Sequence, residues 1–198
     1  MHERDPFSVS RVLIAGPVGV GKTTAVQALS TVPALQTDVV PSDDTRHLKS
    51  STTVAMDFGV LRLDSQRVVH LYGTPGQRRF DFMWEILSIG SAGLVILVDG
   101  SDPAPPGTVL DLYLAPYDEL LQNRAVAIGV TRLSRGGREG LSPWREEIER
   151  RNVLLPVFEA DPRNRRDVER LVRASLIARE FRDEEPSSLA TRAALERP

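Results

Sequence analysis

The chain has 198 residues, of which 41% are hydrophobic and 26% are charged, and this composition is typical of an ordinary folded domain. Its 25 basic and 27 acidic residues give a formal net charge of -2, so no global positive field attracts nucleic acid or an anionic membrane. The absence of cysteine excludes disulfides, thiolate metal sites and a prenyl anchor, and no apolar run is long enough for an integral membrane segment, so we expect a cytoplasmic protein.

The first half of the chain predicts a strand, a helix and a hairpin, with a long loop between the helix and the hairpin. A buried strand over residues 11–15 leads through a glycine-rich turn into a helix from Lys22 to Leu29. The polar stretch from Gln36 to Ser51 predicts a long surface loop, and long loops in compact domains tend to be functional. Val54 to Leu63 and Arg67 to Tyr72 are strand-like runs joined by a short polar turn, which indicates the hairpin.

The second half alternates strands with helices. Gly93 to Asp99 and Ala125 to Thr131 are nearly all apolar, as is typical of central parallel strands covered on both faces, and a last strand is predicted over Val153 to Phe158. Ser142 and Pro143 have the pattern of a helix N-cap and first helical residue. The predicted helices cover residues 80–89, 110–122, 143–150 and 166–181.

This alternation predicts a three-layer α/β fold with a mostly parallel six-stranded sheet, one antiparallel strand and helices on both faces. Residues 10–182 are expected to form the single domain. Residues 1–9 are predicted to be an N-terminal extension, and residues 183–198 a flexible polar tail.

A glycine-rich segment between the first strand and the first helix matches the pattern G-x-x-x-x-G-K-S/T. It consists of Gly16, Pro17, Val18, Gly19, Val20, Gly21, Lys22 and Thr23. In this context the loop amides and the helix N-terminus are expected to cradle a β-phosphate. Lys22 would then bridge the β- and γ-phosphates, Thr23 would bind Mg²⁺, and the Thr24 amide would meet the α-phosphate. The alternative is a tight strand-to-helix turn with a solvated lysine.

Two further segments follow in the order found in a known family. Residues 69–77 end in Gly-Thr-Pro-Gly-Gln, which resembles the D-T-A-G-Q motif of Ras-like small GTPases. Thr53 to Phe58 resembles the T-I-G-V-D-F segment at which the first switch loop meets a strand. More narrowly, the chain looks like the bacterial GTPases of conservon-type operons, which are related to gliding-motility GTPases. The resemblance implies a P-loop NTPase fold, GTP/GDP and Mg²⁺ as cofactors, and a roadblock-type regulator or sensor-kinase-like protein as partner.

The resemblance also implies roles for individual residues. Thr53 would complete the Mg²⁺ shell in the triphosphate state, the Gly76 amide would sense the γ-phosphate, and Gln77 would orient the attacking water. A neutral amide suffices for this last role because phosphoryl transfer depends on positioning and charge stabilisation more than on covalent chemistry. The alternative for Thr53 and Gln77 is an exposed polar loop residue.

Two positions near the phosphates depart from the family pattern. Gly73 stands where the second-switch motif has an aspartate, so we expect weaker Mg²⁺ binding by Thr23, Thr53 and the nucleotide. Asp57 or Asp99 could supply the missing carboxylate, with a structural role as the alternative for each. Val18 has a branched side chain that would crowd the space Gln77 must enter, which predicts slow intrinsic hydrolysis.

The expected base-binding segments also depart from the pattern. Thr131, Arg132, Leu133 and Ser134 stand where the family has N/T-K-x-D, so Thr131 and the stacking Arg132 are compatible but Ser134 lacks the carboxylate that reads guanine. Losing this charge-assisted contact costs on the order of 1.5–3 kcal/mol, which leaves guanine and adenine both open. The Ala160 amide could still read the base O6.

The helix after Gln77 is apolar on two sides. Its side with Phe82, Ile86 and Ile89 is either a partner surface or packed against a neighbouring element.

Three arginines, Arg46, Arg78 and Arg79, lie in the predicted switches. They are either a source of an arginine finger or solvated.

Three functions remain open from these motifs. The leading hypothesis is a GTP-binding switch with slow, partner-stimulated GTP hydrolysis. The alternative is a degenerate ATP- or GTP-binding scaffold without significant catalysis, which Gly73, Val18 and Ser134 favour. A P-loop kinase that uses ATP is a third class, although the sequence has no evident lid or acceptor site.

Overall fold

The computed structural model describes residues 8–39, 54–77, 80–134 and 137–183. The strands are β1 (Ser8–Ala15), β2 (Leu35–Val39), β3 (Val54–Arg62), β4 (Arg67–Gly73), β5 (Gly93–Asp99), β6 (Val126–Thr131) and β7 (Val157–Glu159). The helices are α1 (Lys22–Leu29), α2 (Asp81–Ser88), α3 (Pro106–Leu114), α4 (Asp118–Gln122), α5 (Gly137–Arg150) and α6 (Arg165–Asp183), with a 3-10 turn at Ala115–Tyr117.

The strands form one sheet in the order β2-β3-β4-β1-β5-β6-β7. β3 runs antiparallel to both of its neighbours, and the other pairs are parallel. The predicted fold class is therefore confirmed, with seven strands rather than six. The additional strand is β2, which pairs with β3 from Leu35 opposite Phe58 to Val39 opposite Val54. Its polar composition predicted a loop, but an edge strand has one side open to water and tolerates such residues.

The core has two layers, one on each face of the sheet. Alternate residues of β1 point to opposite faces, so Leu13 and Ala15 pack with α2, α3 and α5, whereas Val12 and Ile14 pack with α1 and α6. β5 and β6 are buried along nearly their whole length, as their continuous apolar runs predicted. The parallel strands thus bring their carboxyl ends to the edge at which α1 begins.

Several element boundaries differ from the predictions. The helix predicted over 110–122 is divided by the 3-10 turn, which contains Pro116, a residue without the N–H that a continuous helix needs. α5 begins at Gly137, so the prediction of Ser142 as N-cap was wrong, and its hydroxyl donates to the Arg138 carbonyl at 3.2 Å. The last strand is limited to Val157–Glu159.

Some predicted features lie outside the described residues. These are Thr53, the three switch arginines Arg46, Arg78 and Arg79, and most of the predicted N-terminal extension and C-terminal tail. Within the part of the chain that is described, no helix combines the length and the apolar character needed to cross a membrane.

Candidate nucleotide site

The loop between β1 and α1 turns at three glycines with positive φ, namely Gly16 (138°), Gly19 (78°) and Gly21 (107°). A Cβ on Gly16 would lie 2.1 Å from the Leu97 carbonyl oxygen, and one on Gly21 would lie 2.7 Å from the Pro162 ring. Side chains therefore have no room at these two positions. The loop packs closely between β5 and the segment after β7, and its conformation depends on glycine.

Lys22 lies inside this loop with only 9% of its surface exposed. Its Nζ donates hydrogen bonds to the carbonyl oxygens of Gly16 at 2.9 Å and Pro17 at 2.7 Å. Burial lowers the pKa of the Lys22 ammonium to about 8, and the Asp57 carboxylate opposes this shift. The ammonium is thus held where an anion bound by the loop amides would meet it.

Thr23, the next residue, contacts a carboxylate from another strand. Its hydroxyl donates a 2.6 Å hydrogen bond to Oδ2 of Asp57 in β3. Asp57 is the cross-strand partner of Gly73, and a Cβ on Gly73 would lie 2.9 Å from the same carboxylate oxygen. Of the two aspartates considered as substitutes for the missing second-switch carboxylate, Asp57 is the one that lies beside Gly73.

The Thr23 hydroxyl and the Asp57 carboxylate are hard oxygen donors of the kind that Mg²⁺ prefers. The described residues contain no cluster of three or more histidine, cysteine or acidic side chains that could hold a metal alone. Mg²⁺ in nucleotide sites commonly uses one or two protein ligands, with phosphates and water completing the octahedron. Thr23 and Asp57 therefore fit a Mg²⁺ ion that arrives with a nucleotide.

The segment after β4 is anchored at two points. The Thr74 amide donates to the Ile14 carbonyl at 2.9 Å, which extends the pairing of β4 with β1. The Pro75 carbonyl accepts a 2.8 Å hydrogen bond from Nε1 of Trp84, a residue of α2 that is 1% exposed. The segment is consequently tied both to the sheet and to α2.

Gly76 lies directly against the phosphate loop. A Cβ on this residue would be 2.6 Å from Nζ of Lys22 and 2.8 Å from the Val18 backbone nitrogen. The side chain of Val18 is 66% exposed, and Gln77 is also exposed. The segment from Thr74 to Gln77, which resembles the second switch, therefore borders the phosphate loop beside Lys22.

A cavity of about 840 Å³ extends from the phosphate loop along the carboxyl ends of β6 and β7. Of the predicted binding residues, those in its lining are Gly19, Val20, Gly21, Thr24, Thr131, Arg132 and Ala160. Ser134 is exposed and does not belong to the lining. The cavity thus joins the second half of the phosphate loop to the predicted base segments, whereas the first half of the loop, Lys22, Thr23 and Gly76 do not belong to its lining.

Arg132 connects the two ends of this cavity. Its backbone is left-handed, with φ of 51°, and its guanidinium donates to the Asp99 carboxylate and to the Gly19 carbonyl. Burial tends to raise the pKa of Asp99, but hydrogen bonds from Ser101 and Arg132 outweigh it, and the pKa lies below its ordinary value. Asp99 therefore serves as the anion that fixes Arg132.

The Ala160 amide is not free for the role expected of it. It donates to the Val130 carbonyl at 3.0 Å, because the hydrogen bonding between β6 and β7 continues one residue past Glu159. The expectation that this amide reads a base oxygen is therefore corrected, although Ala160 lines the cavity. The next amide, that of Asp161, donates to the Asp167 carboxylate at 3.2 Å.

Sequence reasoning missed several residues in the cavity wall. These are Leu141, Phe158, Pro162, Arg163, Asp167 and Arg170. Most of these residues lie within β7, immediately after it, or at the start of α6. The carboxyl ends of the parallel strands meet there, so this position in the sequence could have indicated them. Leu141 gave no such signal, since its helix was predicted to begin after it.

The two apolar sides of the α2 region differ in burial. Phe80 and Trp84 are buried, whereas Phe82, Ile86 and Ile89 are 58%, 62% and 66% exposed. The second apolar side of the helix region is therefore a surface, directly connected to the segment that contains Gly76.

Comparison with solved structures agrees with this architecture. The chain is similar to translation elongation factor SelB from Methanococcus maripaludis in complex with the GTP analogue GPPNHP, with a TM-score of 0.60, 14% identity, and coverage of 88% of this chain and 34% of that chain. It is also similar to the G domain of the T. maritima FeoB iron transporter, with a TM-score of 0.57, 17% identity, and coverage of 86% of this chain and 99% of that domain. The fold and the loop together define a P-loop protein with the fold of a GTPase G domain.

The sequence matches cover about half of the chain. Residues 34–128 match the model of a family described as conserved hypothetical ATP binding protein, a range that begins after the phosphate loop. An uncharacterized protein of Methanocaldococcus jannaschii, MJ1339, is 31% identical over 91 residues, which are 46% of this chain and 51% of that protein. The chain thus spans about half the length of this curated relative and about a third of the SelB chain.

Proposed function

We propose that this protein is a cytoplasmic nucleotide-dependent molecular switch of the Ras-like small GTPase type that binds GTP and GDP with Mg²⁺. The observation that carries the proposal is the buried Lys22 ammonium inside a loop shaped by glycines, followed directly by Thr23 in contact with Asp57. The sequence motifs support placing it, more narrowly, with the conservon-type and gliding-motility GTPases.

Different residues of the chain bind the phosphates, hold Mg²⁺ and orient water. The loop amides and Lys22 bind the β- and γ-phosphates, and the positive charge of Lys22 is the more effective because the site is shielded from water. Thr23 and Asp57 would hold Mg²⁺, which neutralises charge on the phosphate oxygens when it is bound. The exposed Gln77 orients water for attack on the γ-phosphate.

The contact between Gly76 and the phosphate loop supports the switch. A γ-phosphate beside Lys22 needs the space that Gly76 borders, so triphosphate binding moves the second-switch segment and hydrolysis lets it return. The segment is bonded to Trp84, and the motion reaches the exposed apolar side of α2. A roadblock-type regulator or a sensor-kinase-like protein, the partners suggested by resemblance, would read that surface.

Intrinsic hydrolysis is proposed to be slow. Val18 carries an exposed branched side chain in the phosphate loop, and this side chain would crowd the approach of Gln77 to the γ-phosphate. Unassisted Ras-type rates are on the order of 10⁻⁴ per second, and stimulation by a partner is the usual way to raise them.

A scaffold that binds ATP or GTP without significant hydrolysis is the second candidate. It is favoured by the bonded Ala160 amide and by the position of Ser134 outside the cavity lining, since both weaken the case for a dedicated guanine site. The family model that matches residues 34–128 describes an ATP-binding protein, whereas the SelB structure contains a GTP analogue.

Calorimetric titration of the full chain with GTP and GDP, with and without Mg²⁺, tests binding, and phosphate release tests hydrolysis. We expect binding that is lost in Lys22→Ala, and slow hydrolysis that falls further in Gln77→Ala. Gln122→Ala, at an exposed position on α4, is the matched control. Absence of binding would reject the proposal, and binding without any hydrolysis would favour the scaffold.

A further inference from the structure

We infer that the base end of the cavity does not select guanine, so that GTP and ATP bind this chain with similar affinities. The inference rests on the proposed function, because it concerns the base of the nucleotide whose phosphates occupy the loop. It follows from the hydrogen bonds that the cavity's own polar groups make with one another.

Selecting guanine over adenine requires specific unpaired groups. The pairing edge of guanine presents two neighbouring N–H donors, at N1 and N2, and the O6 acceptor, whereas that of adenine presents the N6 donor and the N1 acceptor. A site that selects guanine therefore needs a carboxylate oriented toward both of these donors, together with a free donor for O6. Polar sites discriminate strongly because a wrong ligand leaves such groups unpaired, and a site without them discriminates weakly.

The main-chain donors that follow β7 are already used. The Ala160 amide donates to Val130 at 3.0 Å, and the Asp161 amide donates to Asp167 at 3.2 Å. The Arg163 amide donates to Oδ1 of Asp161 at 2.9 Å. None of these three amides is free to read the O6 oxygen of guanine.

The three carboxylates in the lining are also held. Both oxygens of Asp161 bind the Arg163 guanidinium, at 2.9 and 2.8 Å. Asp167 accepts the Asp161 amide on one oxygen and the Arg170 guanidinium, at 3.4 Å, on the other. Glu159 accepts the Gly137 amide at 2.9 Å on Oε2. Among the described residues, each carboxylate of the lining is therefore oriented by partners within the chain, and none presents two unbonded oxygens to the N1 and N2 donors.

Apart from the second oxygen of Glu159 and the remaining N–H groups of the arginines, the base end offers stacking surfaces, which are non-directional. The Arg132 guanidinium is fixed by Asp99 and Gly19, and it offers a planar face for stacking. Leu133, Phe158 and Pro162 add apolar surface to the lining. Stacking on such surfaces tolerates any purine, because every base has a π-face. The base thus adds affinity while its identity makes little difference.

Calorimetric competition among GTP, ITP and ATP, each with Mg²⁺, tests the inference on the full chain. ITP lacks the N2 amino group, so the difference between GTP and ITP measures how much a hydrogen bond from N2 to a carboxylate contributes to affinity. We expect the three dissociation constants to agree within about tenfold. A preference for either GTP or ATP beyond about tenfold would overturn the inference, and so would a GTP affinity more than about tenfold above that of ITP.

Lys22→Ala separates this inference from the proposed function. We expect the substitution to abolish the binding of GTP and of ATP alike, since both would use the same phosphate loop. ATP binding that survives the substitution while GTP binding is lost would place ATP at another site and overturn the inference. Failure of the unmodified chain to bind any of the three nucleotides would overturn the proposed function and the inference together.

Discussion

Asp57 lies opposite Gly73 in the antiparallel pairing of β3 and β4, and its carboxylate fills the space that a side chain on residue 73 would need. The carboxylate that lies beside residue 73 therefore comes from the neighbouring strand, and the glycine leaves room for it. The 2.6 Å hydrogen bond from Thr23 joins this carboxylate to the start of α1. The two positions act as a pair, so a change at one should be judged together with the other.

Replacing this carboxylate should reduce the dependence of nucleotide affinity on Mg²⁺. In Asp57→Asn, we expect the gain in affinity caused by Mg²⁺ to fall by roughly tenfold or more, because a neutral amide oxygen is a weaker ligand for a hard cation. Titration of nucleotide with and without Mg²⁺ measures this gain. Glu146→Gln removes one exposed negative charge from α5 and is the matched control.

A double substitution gives the sharper test. Gly73→Asp alone places a Cβ 2.9 Å from the Asp57 carboxylate and should impair the site, whereas Asp57→Gly combined with Gly73→Asp exchanges the two positions. We expect the double variant to recover part of the Mg²⁺ dependence that Asp57→Gly loses. If the exchange recovers none, while the protein remains folded by circular dichroism, the compensation of Gly73 by Asp57 is wrong.

Lys22 should destabilise the nucleotide-free protein at neutral pH. Its pKa is about 8 in the fold, against an ordinary value of 10.5, so below pH 8 the folded state bears the full cost of a buried charge, about 3 kcal/mol. As the pH rises from 8 to 10.5, the folded state releases the proton before the unfolded state does, and this cost disappears. We expect Lys22→Met to be more stable than the unmodified protein at pH 7, by an amount that shrinks toward pH 10. Urea unfolding at both pH values measures this difference, and a constant difference would contradict the prediction.

The glycines of the phosphate loop should differ in their tolerance of alanine. A Cβ on Gly19 meets no atom within 4 Å, so Gly19→Ala bears only the strain of its left-handed backbone, about 1 kcal/mol. A Cβ on Gly16 would lie 2.1 Å from the Leu97 carbonyl, and Gly16→Ala should cost more than about 3 kcal/mol. Thermal unfolding of the two variants provides the comparison. Equal losses of stability would show that this close approach does not limit the loop.

Trp84 should report the movement of the second-switch segment. The chain has two tryptophans, Trp84 and Trp144, so Trp144→Phe leaves Trp84 as the only tryptophan signal. Because Nε1 of Trp84 is bonded to the Pro75 carbonyl, a non-hydrolysable GTP analogue should change its fluorescence more than GDP does. Trp84→Phe, which leaves only Trp144, is the control and should respond equally to both nucleotides. Identical responses of Trp84 to the two nucleotides would argue against a γ-phosphate-dependent movement.

The fold and the phosphate loop were accessible from the sequence because they depend on short-range patterns. The spacing of glycines before Lys22 and Thr23 determines the loop, and continuous apolar runs determine β5 and β6. Strand β2 was missed because its three central residues are polar and the strand is defined by its pairing with β3.

The details of the site depend on contacts between distant residues, which a sequence pattern does not contain. The choice between Asp57 and Asp99 required the register of β3 against β4, because only that register places a carboxylate beside Gly73. The Ala160 amide is already hydrogen-bonded because the pairing of β7 with β6 continues one residue past β7, and the sequence does not show where this pairing ends. Ser142 resembled an N-cap, but the helix around it starts five residues earlier.

Arg132 joins the two halves of the cavity through its side chain. One guanidinium binds the carboxylate at the end of β5 and the carbonyl of Gly19 in the phosphate loop, and its backbone lies directly after β6. A base stacked on the planar face of this side chain would therefore be one hydrogen bond away from the loop that surrounds Lys22.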